Sequence, residues 1–207
     1  MNRTENRNRN FERTDRLIRE ALLQITRRKQ IDKITVKDIT EEADINRTTF
    51  YLHYDTVDQL IHTVEDEVID KIGEGLEQLE SSHYVLGEHP IHTDLFRIFS
   101  ENEVILMQLL GPHGDITFLN RFVNAISQRN YSSWRDTALK VNRRLPPDLE
   151  DYAYYICCGM CGMVYSHITR KKTIKGKEEE FGKFAGAVTN WVHENFVVRY
   201  PDVDKTI

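Results

Sequence analysis

From Ala153 to Tyr165 the chain carries no charged residue, and at helical spacing its apolar side chains run round the whole circumference. A helix apolar on every side must be buried on every side. One face can meet its own domain; another needs a second partner. Almost every other segment of the 207 residues has helical spacing too, with only 10 glycines and 5 prolines to interrupt it. Leu17, Ile18, Ala21, Leu22 and Ile25 form one apolar stripe, for which Asn10 or Thr14 supplies a cap, and the stripe fades at Arg27–Arg28–Lys29.

Two short helices follow. Thr35 caps the first, with Asp38 three residues on, close to a capping box; Val36, Ile39 and Ala43 share a face. After a brief turn at Asp44–Ile45–Asn46, Asn46 caps a second helix from Arg47 to Tyr54, in which Phe50 and Tyr54 face inward. A Thr56-x-x-Gln59 box opens a long helix to about Leu79, with Leu60, Ile61, Val64, Val68 and Ile72 as its buried stripe. Residues 81–91 are polar, hold Pro90 and read as a loop. Helical spacing resumes at about His92 and continues to Leu110, where Gly111–Pro112–His113–Gly114 breaks the chain. Another helix carries Ile116, Phe118, Leu119, Phe122, Val123 and Ile126, a less regular stretch spans 131–145, and a last helix covers about 177–198. With no strand-period pattern and no repeat, the expected fold is all-α.

The functional signal lies in the short pair. Two short helices across a tight turn, one packed inward and the next offering polar groups outward, make a helix-turn-helix. The second helix suits a major groove about 12 Å wide. Arg47, Thr48, Tyr51 and Leu52 lie on the arc opposite Phe50 and Tyr54. Arg and Thr can reach base edges, Tyr and His can bond phosphate, and the helix N-termini at Val36 and Asn46 aim free N–H groups at anions. Charge is distributed to match. Residues 1–54 hold 12 Lys and Arg against 9 Asp and Glu, a net of +3, while residues 55–207 hold 16 against 24, a net of −8. That bias does not identify a DNA binder by itself.

Over about residues 12–62 the chain resembles the TetR family of bacterial transcription regulators. The resemblance rests on the run from Ile34 to Ile61 and above all on Thr49–Phe50–Tyr51–Leu52–His53–Tyr54. It implies a three-helix DNA-binding domain in residues 1–55, with a flexible basic N-terminal arm, and a helical effector-binding and dimerisation domain in 56–207. Carried over residue by residue, it places Tyr51 and His53 on the DNA backbone, Arg47, Thr48 and Leu52 toward the groove, and Thr35 and Lys37 on phosphate. Thr49, the small residue opening the motif, is counted with them. The family usually has Lys where this chain has Val57, so one phosphate contact is missing or replaced. The arm itself, with Arg3, Arg7 and Arg9 among asparagines, reads as a disordered leader adding diffuse attraction, the other reading being an arm that enters a minor groove.

For the C-terminal half the resemblance implies architecture more than residues. The last two long helices are expected to pair with their copies in a homodimer, through Ile156, Gly159, Met160, Met163, Phe184, Val188 and Trp191, with Gly159 and Gly162 permitting close approach. A two-fold dimer implies a palindromic operator on double-stranded DNA. The effector, a small molecule or a protein, is expected among Phe96, Phe99, Met107, Leu110, Phe118, Phe122, Trp134 and Tyr155, residues that equally suit a plain core. The segment Leu95–Gly114 with Phe118, its Glu101–Asn102 pair and its Gly111-x-x-Gly114, is similar to a branch that includes regulators of dihydroxyacetone kinase operons.

Other chemistry finds less support. No run of about 18 apolar residues predicts a membrane span, and the N-terminus lacks the apolar core of a secretory signal. Cys157, Cys158 and Cys161 are too few for a disulfide framework and read as core thiols of a cytoplasmic protein. His83, His89 and His92 lack a carboxylate frame and read as surface residues, so neither metal nor cofactor is expected. No nucleophile elbow, phosphate loop or HExxH occurs, so the chain is not read as an enzyme. The alternative that keeps the fold is a helical adaptor that has lost operator binding, for which Val57 and the acidic total charge speak.

Overall fold

The computed structural model describes residues 3–80, 90–140, 147–170 and 172–199. Among them are nine α-helices and no strand: α1 Arg3–Ile25, α2 Val36–Glu42, α3 Arg47–Tyr51, α4 Val57–Glu80, α5 Pro90–Glu101, α6 Glu103–Leu110, α7 Ile116–Lys140, α8 Leu149–Thr169 and α9 Glu178–Arg199. One 3-10 turn, Ile31–Lys33, stands between α1 and α2. The chain divides into two compact units, residues 1–68 with 105–118, and residues 69–104 with 119–207, so the division falls inside α4, α6 and α7.

In the first unit α1 packs on α2 and α2 on α3. Ile18, Leu22, Ile39, Phe50 and Leu60 are fully enclosed. Each side chain of that size stabilises the unit by about 1.5–3 kcal/mol relative to exposure. The stripe on α4 read from the sequence is buried throughout, from Leu60 and Ile61 through Val64, Val68 and Ile72. The caps are where the residue types place them. Thr35 accepts from the Asp38 N–H while the Asp38 carboxylate accepts from the Thr35 N–H, a complete capping box. Asn46 Oδ1 accepts from the Thr49 N–H at 2.7 Å, and Thr56 Oγ1 from the Gln59 N–H at 3.0 Å.

The tight turn of the pair is a C-terminal helix cap. Asp44 sits in the left-handed region at φ 52°, and the Ile45 N–H donates to the Thr40 carbonyl at 3.0 Å, closing α2 in the six-to-one pattern of a Schellman motif. Asp tolerates this conformation better than a branched residue does.

Five expectations from the sequence are corrected: the second helix of the pair ends at Tyr51 and not at Tyr54, and the stretch read as less regular from 131 is helical to Lys140 within α7. The first helix does not begin at Asn10 or Thr14 but at Arg3, so the basic arm is helical. Thr14 lies inside the helix, its hydroxyl donating to the Asn10 carbonyl at 3.0 Å. The apolar run from His92 to Leu110 is two helices, because buried Asn102 turns its amide back on the Ile98 carbonyl at 2.8 Å and ends α5. Pro90, assigned to a loop, is the first residue of α5, where its missing N–H costs nothing.

In the second unit α5 packs closely on α9. A Cβ on Gly182 would lie 2.7 Å from the Thr93 Cα, so only glycine permits that approach. The buried Glu103 carboxylate accepts from the Thr173 hydroxyl at 2.8 Å and from the Ile174 N–H at 2.6 Å, tying the start of α6 to the segment between α8 and α9. The Asp44 turn gives a direct test. Asp44→Val should lower the unfolding free energy by about 1–2 kcal/mol, whereas Asp44→Gly should not, as read by urea denaturation; equal effects would place the strain elsewhere.

Candidate nucleic-acid interface

The helix α3 has five residues, too few to hold a helix by their own cooperativity. Its shape is imposed from outside. Phe50 points into the core with no exposure, and Tyr54, three residues past the helix end, is buried with its hydroxyl donating to Asp15 Oδ1 at 2.7 Å. The same hydroxyl accepts from Arg19 Nε at 3.0 Å, and Arg19 is paired with Asp15 at 2.6 Å and with Glu67. Burial, reinforced by the bond to Asp15, pushes the Tyr54 phenol above its ordinary range, so it stays protonated and can donate.

With Phe50 and Tyr54 held inside, the opposite arc faces solvent. Arg47 and Thr48 are exposed, Tyr51 is 54% exposed and Leu52 71% exposed. A leucine and a tyrosine left uncovered on adjacent positions of a short, well-anchored helix form a surface that a groove can cover. Thr35 and Lys37, at the start of α2, are exposed as well; Lys37 makes only a long surface pair, 3.7 Å from Glu41, leaving its ammonium available. Thr49 is half-buried, its hydroxyl donating to Asn46 Oδ1 at 2.9 Å, so it serves the cap. Val57 opens α4, half-buried.

His53 departs from the expectation. Its side chain is 3% exposed. The ring lies under Phe11, centroids 3.9 Å apart and planes 22° from parallel. Sequence reasoning missed Phe11 because it placed the helix start at or after residue 10. The signal was present, since Phe11, Ile18 and Ile25 continue one stripe at spacings of seven.

A second group of contacts joins distant sequence within this unit. The Ile31 N–H donates to the His113 carbonyl at 2.8 Å, Gln30 Nε2 to the Pro112 carbonyl at 3.1 Å, and His113 Nδ1 lies 3.2 Å from the Thr26 carbonyl. The tight turn Gly111–Gly114 is thereby bonded to the chain between α1 and α2. A Cβ on Gly114 would sit 1.8 Å from the Leu109 carbonyl oxygen, so the turn requires glycine there. Beside it a cleft of about 540 Å³ is bordered by residues 30–33, Asp58, Ile61, His62 and residues 114–117.

None of the eight residues expected to form an effector pocket lines that cleft. In the second unit Phe96, Phe99 and Phe122 are buried, with ring centroids 6.2 Å apart for the first pair and 6.0 Å for the second, and Phe96 lies 5.3 Å from Phe181. Leu110 and Phe118 are buried in the first unit. Met107 and Tyr155 are exposed rather than enclosed, and the Trp134 side chain lies outside the described residues. Of the expected dimer residues, Ile156 and Met160 are buried within their own chain and Met163 is half-buried. Gly159, Phe184 and Val188 are open, and Trp191 lies outside the described side chains. The open face of α8 also holds Tyr154, which the sequence reading omitted, and Tyr155, which it assigned to the effector pocket.

The thiols behave as core and surface groups. Burial pushes Cys157 up to about 11, with Asn130 Nδ2 donating to its sulfur at 3.2 Å, and burial likewise raises Cys161 well above the ordinary thiol range. Cys158 is exposed. Among the described residues no group of three or more His, Cys, Asp or Glu is placed to hold a metal; His83, His89 and the His92 side chain lie outside them. No described helix is long and apolar enough to cross a membrane.

An all-α chain with this helix-turn-helix has the fold of the TetR-family transcriptional regulators. The solved structures it resembles include a TetR transcriptional regulator from Streptococcus agalactiae, 19% identical, covering 90% of this chain and 98% of that one at a TM-score of 0.63. They also include SmeT in complex with triclosan, 14% identical, covering 86% and 90% at 0.67. A third is the dihydroxyacetone kinase operon activator DhaS, 16% identical, covering 86% and 97% at 0.59. No family model matches the sequence, and no curated protein matches it significantly.

The cap that orients α2 can be tested on its own. The bond from Lys29 Nζ to Asp38 Oδ2, 2.6 Å, and then the Thr35 bonds hold the Asp38 carboxyl down to about 2. A carboxylate lowered in the folded state contributes stability above its ordinary value of 3.8 that is lost as pH falls toward 2. Lys29→Met should therefore raise the Asp38 titration midpoint toward 3.8 in carboxyl NMR. An unmoved midpoint would show that Thr35 alone sets it.

Proposed function

We propose that the chain is a sequence-specific DNA-binding transcription regulator, acting as a homodimer on a palindromic operator and responding to an effector. The observation that carries this reading is the outward arc of α3, where Arg47, Thr48, Tyr51 and Leu52 are uncovered while Phe50 and Tyr54 are clamped inside. Residues 1–55 serve as the DNA-binding part and 56–207 as the effector-binding and dimerisation part. Arg47 and Thr48 read base edges; Tyr51, Thr35 and Lys37 hold phosphate.

The dimer is supported by the open faces of the last two helices. Tyr154, Tyr155 and Phe184 are uncovered, and a Cβ at Gly159 or Gly162 would meet no atom within 4 Å. A second copy would bury these faces, as an all-round apolar helix requires. Two recognition helices on one two-fold axis then span enough base pairs for selectivity.

A small-molecule effector is supported by the triclosan complex of SmeT. Its action is a population shift toward a subunit geometry in which the two recognition helices no longer match successive grooves. The bonded Gly111–Gly114 turn, together with α4, supplies the route by which residues beyond 56 act on the DNA-binding part. Repression is the sign we infer, because occupying a promoter blocks polymerase without further contacts; activation is the second reading, favoured by the likeness to DhaS. The protein works in the cytoplasm, where its thiols stay reduced.

Tyr51→Ala should weaken binding to every duplex alike while leaving the salt slope unchanged, since a neutral phenol displaces no counterion. Arg47→Ala should instead relax preference at one base-pair position by about 1–3 kcal/mol. Unchanged affinity in both, measured by fluorescence anisotropy on a selected duplex, would defeat the groove assignment. Phe184→Glu, at a position 58% exposed, should leave the fold intact but give a monomer by sedimentation that binds operator poorly. A dimer that persists would move the interface off α9.

A further inference from the structure

The stacked pair of Phe11 and His53 lies outside the groove-facing arc, yet its placement bears on that arc. His53 follows Tyr51 and Leu52 directly. Its backbone N–H donates to the Phe50 carbonyl at 2.9 Å, and Leu52 closes α3 through bonds to Thr48 and Thr49 carbonyls at 3.2 Å. Tyr51 and Leu52 are therefore bracketed by two inward anchors, Phe50 before them and the His53–Tyr54 pair after them. Phe50 and Tyr54 are fixed by the core and by the Asp15–Arg19 network. His53 has no such bond. Among the described residues its buried Nδ1 has no hydrogen-bond partner, with Asp15 Oδ1 at 3.6 Å, beyond bonding distance. The flat contact with Phe11 at 3.9 Å thus covers a ring that no hydrogen bond holds through Nδ1.

We propose that Phe11, in a part of α1 that precedes the helix-turn-helix, is a positioning residue of the DNA-reading surface: by stacking on His53 it fixes the orientation of Tyr51 and Leu52. This rests on the reading of α3 as the DNA-contacting helix and adds to it a residue some 40 positions upstream. The side chain of Phe11 is well suited to that role and poorly suited to being core. It is 51% exposed, so its ring gains little from burial and much from the one flat contact it makes. His53 then acts from inside, as a strut under the end of α3, instead of meeting phosphate itself. The early start of α1 has a purpose on this account, since without helix through residues 7–14 Phe11 has no fixed place.

The test uses the full-length protein and a duplex recovered from a random pool by the wild-type chain. Phe11→Ala, and Phe11→Leu as a variant that keeps apolar bulk, should each lose about tenfold in operator affinity with little change in Tm. Phe11→Tyr, which keeps the ring, should bind within about twofold of wild type. If Phe11 acts through Tyr51 and Leu52, adding Phe11→Ala to a Tyr51→Ala/Leu52→Ala double variant should lower its affinity no further. The imidazole ¹⁵N shifts of His53 should move in the Ala and Leu variants and stay in the Tyr variant. Full affinity in Phe11→Ala and Phe11→Leu, or a further loss when Phe11→Ala is added to the Tyr51→Ala/Leu52→Ala variant, would overturn the role of Phe11 while leaving the DNA reading intact. A wild-type chain that enriches no duplex would overturn both.

Discussion

The enclosure of Phe50 is the constraint on which the reading surface depends. A five-residue helix has no cooperative stability of its own, so its roll about its axis is set by whichever side chain the core accepts. Phe50, enclosed without exposure as Ile39, Leu22 and Leu60 are in the same unit, sets that roll. Tyr54 locks it from the far end through Asp15 and Arg19. The exposure of Arg47, Thr48, Tyr51 and Leu52 follows from those two anchors, because the outward arc is whatever the inward pair leaves behind. The capping groups refine this: Asn46 and the Thr35–Asp38 box start each short helix at a defined residue, and the left-handed Asp44 sets the angle between them.

What could be read from the sequence was what local chemistry decides. Thr35 with Asp38, Asn46, and Thr56 with Gln59 are capping residues within three positions of their partners, and their bonds form as the spacing predicts. The buried stripe of α4 is equally local, a matter of period. What could not be read depends on contacts far along the chain. His53 looks like an exposed polar residue until Phe11, 42 positions earlier in the chain, is seen to cover it. Asn102 looks helical until its amide folds back on Ile98. The Gly111–Gly114 turn reads as a simple break, yet it is bonded to residues 26–31. Among the residues expected to surround an effector, the phenylalanines are buried and Tyr155 is open, because position on a helix gives a face but not what that face meets.

The charge pattern fits the same division. The basic excess lies in residues 1–54 and the acidic excess beyond, so phosphate attracts one part of the chain and repels the other. The two buried thiols on α8 are raised and inert, whereas Cys158 and the tyrosines beside it lie on the open face that a second copy would cover. A helix that is uncharged from Ala153 to Tyr165, with one face in its own core and another uncovered, is the strongest sequence-borne argument for self-association in this chain.

The most direct measurement of the central claim is selection of bound sequences from a random duplex pool at a stated salt concentration, since phosphate contacts weaken with salt. A regulator that reads DNA with paired α3 helices yields a palindromic consensus, its half-sites about one helical turn or a multiple apart. A folded protein that enriches no sequence above the input contradicts the account.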